Sequence, residues 1–261
     1  MSHSVQTRQE GAIWWVTLNR PSANAIDCAT SQRLYEAFYE YENNTELRVA
    51  ILTGSGQRFF SAGWDLKAAA EGEAIDANHG PGGFGGLTEY FSLSKPVIAA
   101  VNGLAVGGGF ELALACDFVV AAEHAEFFLP ELSLGIIPDS GGVFRLPRRL
   151  PRSVALELIL TGRRLRAQEA LQWGLLSRVT SSDNLLQAAQ EFAEQLLHSA
   201  PLAQQAVKEL LQATEHVSLP EAYALQRQAP LPHYRNMLSS DDAQEGIQAF
   251  SEKRAPVWRG Q

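Results

Sequence analysis

The sequence predicts an α/β fold: a layered spiral of repeated strand–strand–helix units, followed by a helical C-terminal region. Three features predict it. Short apolar runs recur through the first two thirds of the chain, most of them ended by a turn bearing Gly or Pro. Two Gly-rich entries, Gly107–Gly109 and Gly141–Gly142, lead into helical patterns, and the last third carries helical patterns almost throughout. Strands that come in pairs before a helix favour a layered spiral over a sheet of strictly alternating strands and helices.

Taken in order, Ile13–Leu18 reads as a strand, and Pro21–Ala25 as the loop after it. Asp27 is placed to cap a helix carrying Leu34, Phe38 and Tyr41 on one face. Val49–Thr53 is a buried strand ending at Gly54-Ser55-Gly56, and small residues before Trp64 mark an exposed backbone turn. Trp64 itself reads equally as a core anchor. From Ala68 to Gly86 the composition shifts to Ala, Glu, Asp and Gly, which predicts a mobile loop beside a site or a surface insertion. Phe118–Ala122 and Phe127–Leu129 read as short strands, then Ser153–Leu160, Ala167–Trp173 and Asp183–His198 as helices. Pro201–Ala213, Pro220–Gln228 and Ser240–Phe250 continue the helical run, with a domain boundary placed at His198.

The chain has 261 residues, enough for one large domain or a domain plus an appendage, with a substantial core. A formal charge of −8 argues against a general nucleic-acid or anionic-membrane surface. The N-terminal ten residues hold no apolar signal core, and no apolar run is long enough to span a bilayer, so the expectation is a soluble, cytoplasmic protein. Cys28 and Cys116 are the only cysteines, which leaves no disulfide framework and no Cys-based metal set. Cys116 lies in an apolar helix and reads as a small core residue. The six histidines show no metal-ligand spacing; His124, His198, His216 and His233 read as surface or boundary residues.

The stretch Lys95–Asp117 carries the chemistry. A buried strand, Val97–Val101, turns at Asn102-Gly103 and runs through Gly107-Gly108-Gly109 into a small-residue helix from about Phe110 to Cys116. Three consecutive glycines mean close backbone approach, positive φ, or both. A helix N-terminus offers unpaired N–H groups and partial positive charge, which suit an oxygen that is becoming an anion. Glu111 then stands beside such a site. The same residues also fit a turn that only permits tight packing. Neither a phosphate loop nor the dinucleotide fingerprint is present.

Along essentially its whole length the chain resembles the crotonase, or enoyl-CoA hydratase/isomerase, superfamily. The resemblance rests on Arg20-Pro21 with Asn24-Ala25, Phe60–Leu66, Lys95–Gly103, Gly107–Leu112, and Pro130-Glu131 with Leu134-Gly135-Ile136, in this order and spacing. Within it, Ser61–Ala74 and Gly80–Phe84 are most similar to the branch acting on carnitinyl-CoA. The resemblance implies a spiral of ββα turns, here residues 1–198, that binds acyl-CoA. Residues 199–261 would then form a helical region that oligomerises and covers the site, in a homotrimer or dimer of trimers. It implies reversible hydration of a CoA thioester, with crotonobetainyl-CoA and carnitinyl-CoA as the pair. A general short-chain hydratase, a double-bond isomerase or a catalytically silent acyl-CoA-binding protein are the alternatives.

The same resemblance assigns the backbone N–H groups of Trp64 and Gly108 to the thioester oxygen. Hydration builds enolate charge on that oxygen, which preorganised donors stabilise. Glu111 is assigned to water at the β-carbon and Glu131 to the proton at the α-carbon. Coenzyme A enters as part of the substrate, with no separate cofactor and no metal. Its contacts fall at Ala23, Ala25, Ala62, Asp65 and Leu66, with Phe250 and Lys253 approaching the nucleotide from a neighbouring subunit. Asp139 departs from the simplest hydratase pattern. Capping the helix entered at Ser140-Gly141, facing a cationic acyl head, and moving a proton are its three readings.

Overall fold

A computed structural model describes residues 4–261. Met1, Ser2 and His3, at the head of the stretch read for a signal core, lie outside the described residues. The chain forms two compact units. The first extends to Leu93 and takes in Val97–Ala193; the second consists of Ser94–Pro96 and Glu194–Gln261.

In the first unit the strands are β1 (Val5–Glu10), β2 (Ile13–Leu18), β3 (Val49–Gly54), β4 (Phe59–Ser61), β5 (Val97–Val101), β6 (Leu104–Val106), β7 (Phe118–Ala122), β8 (Glu126–Phe128), β9 (Leu165–Arg166) and β10 (Arg178–Thr180). They form a six-stranded sheet in the order β1-β2-β3-β5-β7-β10 and a four-stranded sheet in the order β4-β6-β8-β9. Each turn of the spiral gives one strand to each sheet, as β3 with β4, β5 with β6 and β7 with β8. The two strands of a pair therefore separate, and pairing runs between successive turns: β3 meets β5 and β5 meets β7, both parallel. Only β1–β2 and β8–β9 pair antiparallel among the described strands. β3 and β5 are buried at every residue, which is why they read as continuous apolar runs rather than alternating ones.

Helix α1 (Cys28–Asn43) begins where Asp27 accepts the Thr30 N–H at 2.7 Å. Leu34, Phe38 and Tyr41 all turn into the core, as their spacing predicts. Helices α2 (Leu66–Ala70), α3 (Gly108–Ala115), α4 (Gly142–Arg149), α5 (Arg152–Thr161), α6 (Ala167–Gln172) and α7 (Leu185–Leu197) follow. Cys116 is fully buried at the end of α3. Helix α3 starts at Gly108, two residues ahead of the sequence expectation, because of the three glycines only Gly107 has a positive φ, at 53°. Gly108 and Gly109 continue as helix and serve close approach: a Cβ on Gly109 would strike the Ser61 carbonyl.

The end of the Ala68–Gly86 stretch is not a surface insertion. Gly82–Thr88 is buried, with Phe84 and Leu87 each 5% exposed, and a Cβ on Gly86 would meet the α1 backbone at Ser31, Leu34 and Tyr35. Glycine composition here reflects backbone packed against backbone, which a reading of polarity alone takes for solvent exposure.

The second unit is built from α8 (Pro201–Thr214), α9 (Leu219–Gln228), α10 (Pro232–Leu238) and α11 (Asp241–Glu252). Glu209 of α8 accepts the N–H groups of His233 and Tyr234, at 3.2 and 2.8 Å, and so satisfies the start of α10. Buried Asp242 accepts the Arg259 and Gly260 N–H groups, pinning the C-terminal tail to α11. No described helix is long and apolar enough to cross a membrane.

Candidate active site

A cavity of about 440 Å³ in the first unit collects residues from four stretches, 62–66, 75–89, 106–111 and 130–140. Ala62, Trp64 and Leu66 come from the turn after β4, Gly107, Gly108 and Glu111 from the entry to α3, and Glu131 from the turn after β8. Ile75–Gly80, Gly83, Phe84, Glu89, Asp139 and Ser140 complete much of the wall.

Glu111 sits in the first turn of α3 and is 3% exposed. Its Oε1 accepts the Gly142 N–H at 2.8 Å, so the start of α4 fixes the carboxyl that the start of α3 presents. Burial pushes its pKa up to about 8, with Glu131 and Asp139 adding repulsion against the Gly142 hydrogen bond and the nearby Arg145 charge. Glu131 opens a turn of 3-10 helix, Glu131–Leu134, and is 8% exposed. Burial raises it to about 7, opposed by its own backbone N–H and assisted by Asp139. Its Oε2 is buried without a hydrogen-bond partner, and Gly107 must be glycine beside it, since a Cβ there would lie 2.5 Å from Oε1. Burial thus raises two carboxyls on one cavity towards neutral pH, where such a pair can act as acid or base.

The backbone around Trp64 is set by α1 and β4. Ile26 donates to the Gly63 carbonyl at 2.8 Å and Asp65 donates back to the Ile26 carbonyl at 2.9 Å, so Trp64 forms a parallel bridge with Ile26 just before α1. Gly63, at φ 79°, presses against the entry to α3: a Cβ there would stand 2.6 Å from the Val106 oxygen and 2.8 Å from the Gly108 nitrogen. The Trp64 and Gly108 N–H groups meet no acceptor among the described residues. Trp64 packs against the core and also lines the cavity. Its Nε1–H donates to Glu73 Oε1 at 2.8 Å, while Glu73 Oε2 accepts the Cys28 N–H at 3.0 Å.

Of the other expected site residues, Ala62 and Leu66 line the cavity and Ala23, Ala25 and Asp65 do not. The Ala23 carbonyl accepts the Ala62 N–H at 2.9 Å and the Ala25 carbonyl accepts from Arg20 at 2.7 Å. Asp65 caps α2 and pairs with Arg20 at 2.8 Å, so its carboxylate is engaged in structure. Phe250 and Lys253 belong to the second unit, where Phe250 is 86% exposed and Lys253 ends α11 at φ 54°. Arg254, beside Lys253, is paired to Glu245 and Glu252 at 2.6 and 2.7 Å. Asp139 does not cap α4: the cap is Gly141, with no side-chain hydrogen bond. Its side chain instead lines the cavity.

Ala68–Gly86, read as a loop beside a site or a surface insertion, does supply part of the cavity wall, though sequence spacing singled out none of its individual side chains. His79 lines the cavity, with Nδ1 3.0 Å from Ser31 Oγ and its ring edge-on to Phe84 at 5.1 Å. Burial holds its pKa below the usual histidine value. Cys28, Glu73 and His79 bring ligand-type atoms within 4.8 Å of one another. Both Glu73 oxygens already accept N–H groups there, and burial followed by Glu73 pushes the Cys28 thiol up to about 11. The adjoining Trp64 and Ala68–Gly86 run was the available signal.

Residues 8–261 match the enoyl-CoA hydratase/isomerase family. The chain is 59% identical over 260 residues to a carnitinyl-CoA dehydratase of Salmonella typhi, and 58% identical to one of Salmonella typhimurium, with all of each chain covered. Among solved structures, an enoyl-CoA hydratase of Mycobacterium tuberculosis superposes with a TM-score of 0.89 at 39% identity over 99% of both chains. A probable enoyl-CoA hydratase/isomerase of Mycobacterium abscessus gives 0.90 at 40% identity over 100% of both. The spiral of paired strands, the two glutamates on one cavity and these full-length likenesses agree: the chain belongs to the enoyl-CoA hydratase/isomerase family.

Proposed function

We propose that the protein catalyses reversible hydration and dehydration of a CoA thioester, interconverting crotonobetainyl-CoA and carnitinyl-CoA. The observation that carries this is the pair Glu111 and Glu131, brought from different elements to one cavity and both raised towards neutrality by burial. The acyl group is taken from the carnitinyl-CoA dehydratases that the chain resembles over its full length.

In hydration, the Glu111 carboxylate takes a proton from water as the water oxygen bonds to the β-carbon. The displaced π electrons move through the α-carbon to the thioester oxygen, giving an enolate. The N–H groups of Trp64 and Gly108 hold that oxygen; their lack of other acceptors and the α3 N-terminus support the role. Glu131, as the carboxylic acid, then protonates the α-carbon and the carbonyl re-forms. Dehydration runs the steps backwards, with Glu131 as base and Glu111 as acid. Burial raises both carboxyls, so a state of the pair that holds one proton is accessible near neutral pH, as proton transfer in either direction requires.

The CoA moiety is assigned to the Ala62–Leu66 backbone with Ala23 and Ala25, and to Phe250 and Lys253 of a neighbouring copy. A homotrimer or dimer of trimers is supported by exposed Leu219, Ile247 and Phe250 in the C-terminal region, each more than 75% accessible. A cytoplasmic location completes the reading. Purified protein incubated with each thioester, and followed by mass change of one water, tests it. The wild type should interconvert the pair, and Glu111→Gln and Glu131→Gln should not. Wild-type protein that binds both thioesters without water exchange would leave an acyl-CoA-binding protein instead.

A further inference from the structure

The cavity wall carries five carboxyl groups, Asp76, Glu89, Glu111, Glu131 and Asp139, and neither lysine nor arginine. That imbalance is not a property of the whole chain, which has 21 Lys and Arg against 29 Asp and Glu. Two of the five, Glu111 and Glu131, are buried and needed for proton transfer. The other three are exposed, and the proton chemistry uses none of them.

Beside these acids the wall carries aromatic residues. Trp64, His79 and Phe84 all line it, and they are held in place: the Trp64 indole by Glu73 at 2.8 Å, His79 by Ser31 at 3.0 Å, and Phe84 by the close approach of Gly108. An indole whose N–H is given to a carboxylate offers its π face without needing another partner. His79 lies in the field of Glu73, Asp139, Asp27 and Glu89, yet burial keeps it towards its neutral form, so the protein places no cation of its own there. Arg145, near Glu111, donates to the Thr88 carbonyl at 2.6 Å and lies outside the wall.

We propose that the part of the cavity formed by Trp64, Phe84, Glu89 and Asp139 is a subsite for a quaternary ammonium head on the acyl chain. Such a head has no N–H, so hydrogen bonds cannot select it; negative charge and aromatic faces can. Its nitrogen stands two bonds beyond the β-carbon. Asp139 lines the same cavity as Glu111 and Glu131, so it stands on the wall that an acyl chain held between the two glutamates faces. Glu131 Oε2, buried and unpartnered on the same cavity, marks the reacting end. This inference rests on the hydratase reading and adds the residues that choose its substrate.

The test compares crotonobetainyl-CoA with the neutral thioester in which tert-butyl replaces trimethylammonium, a pair of near-equal shape. The wild type should favour the charged thioester by about tenfold or more in kcat/KM, the range of partly desolvated cation–π and charge contacts. Asp139→Asn and Glu89→Gln should each reduce that ratio at least about threefold, and the double variant should bring it near unity. Because the ratio cancels effects on the shared proton chemistry, it reads recognition of the head alone. A double variant that turns over both thioesters at the wild-type ratio would overturn the subsite and leave the hydratase reading standing. Wild-type protein inert towards both would overturn the two together.

Discussion

Gly63→Ala probes the placement of the Trp64 and Gly108 donors, and Gly56→Ala is its control. Both glycines have nearly the same positive φ, 79° and 80°. A Cβ at Gly56 meets nothing within 4 Å, whereas one at Gly63 meets backbone on three sides, 2.6 Å from Val106 O, 2.8 Å from Gly108 N and 3.3 Å from Gly109 N. The left-handed conformation costs an L-residue roughly 1–2 kcal/mol at either position. For a chain of this size that is a fall in Tm of about 2–8 °C. At Gly63 the backbone neighbours must also separate; one of them is the Gly108 nitrogen, and Trp64 follows Gly63 directly in the chain. One such donor is worth about 2.7–4 kcal/mol of barrier, so even partial displacement should lower kcat at least about thirtyfold. Steady-state hydration of crotonobetainyl-CoA and thermal melts on both variants provide the assay. Gly56→Ala should keep kcat within about twofold. A folded Gly63→Ala protein with kcat within about threefold of wild type would refute the placement of the oxyanion donors.

Three further outcomes follow. Glu111→Gln and Glu131→Gln should each lower kcat by at least about 10²-fold, measured on the preferred thioester, with unchanged circular dichroism. For dehydration, kcat/KM should be bell-shaped in pH: below about 7 Glu131 gains a proton and ceases to be a base, and above about 8 Glu111 loses the proton it must donate. A flat profile between pH 6 and 9 would contradict those assignments. Glu73→Ala and Trp64→Phe each remove the 2.8 Å indole bond, so each should reduce kcat/KM about three- to tenfold, and the double variant should be little worse than the poorer single. Multiplying effects in that cycle would show that Glu73 acts independently of Trp64.

Much of the first unit was legible because its signals are local. A capping Asp27, an apolar stripe at Leu34, Phe38 and Tyr41, and continuous apolar runs at β3 and β5 each dictate their own element. Glu111 was legible for the same reason, since it follows the glycine run that makes its helix. The bare residues around Glu131 carry no comparable pattern; its place beside Gly107 is created by parallel pairing of β6 with β8, which joins successive turns of the spiral. Helix α10 was missed because it is short and its N-terminus is satisfied from α8, by Glu209, rather than from its own sequence. Residues 73–89 misled for a further reason. Glycines at Gly82, Gly83, Gly85 and Gly86 look like solvent-exposed chain, yet they are buried, and Gly86 exists so that backbone can touch backbone. Asp139 looked like a helix cap because Ser140-Gly141 follows it, but Gly141 at φ 123° starts α4 without any side-chain oxygen.

The division of labour between the two glutamates is tested most directly by α-proton exchange on a saturated thioester that has no water to lose. With γ-butyrobetainyl-CoA in D2O, the wild type should exchange the α-hydrogens through the enolate, as read by NMR or mass spectrometry. Glu111→Gln should retain that exchange while failing to add or remove water, and Glu131→Gln should lose it. Exchange that survives in Glu131→Gln but disappears in Glu111→Gln would contradict the assignment of the α-carbon to Glu131.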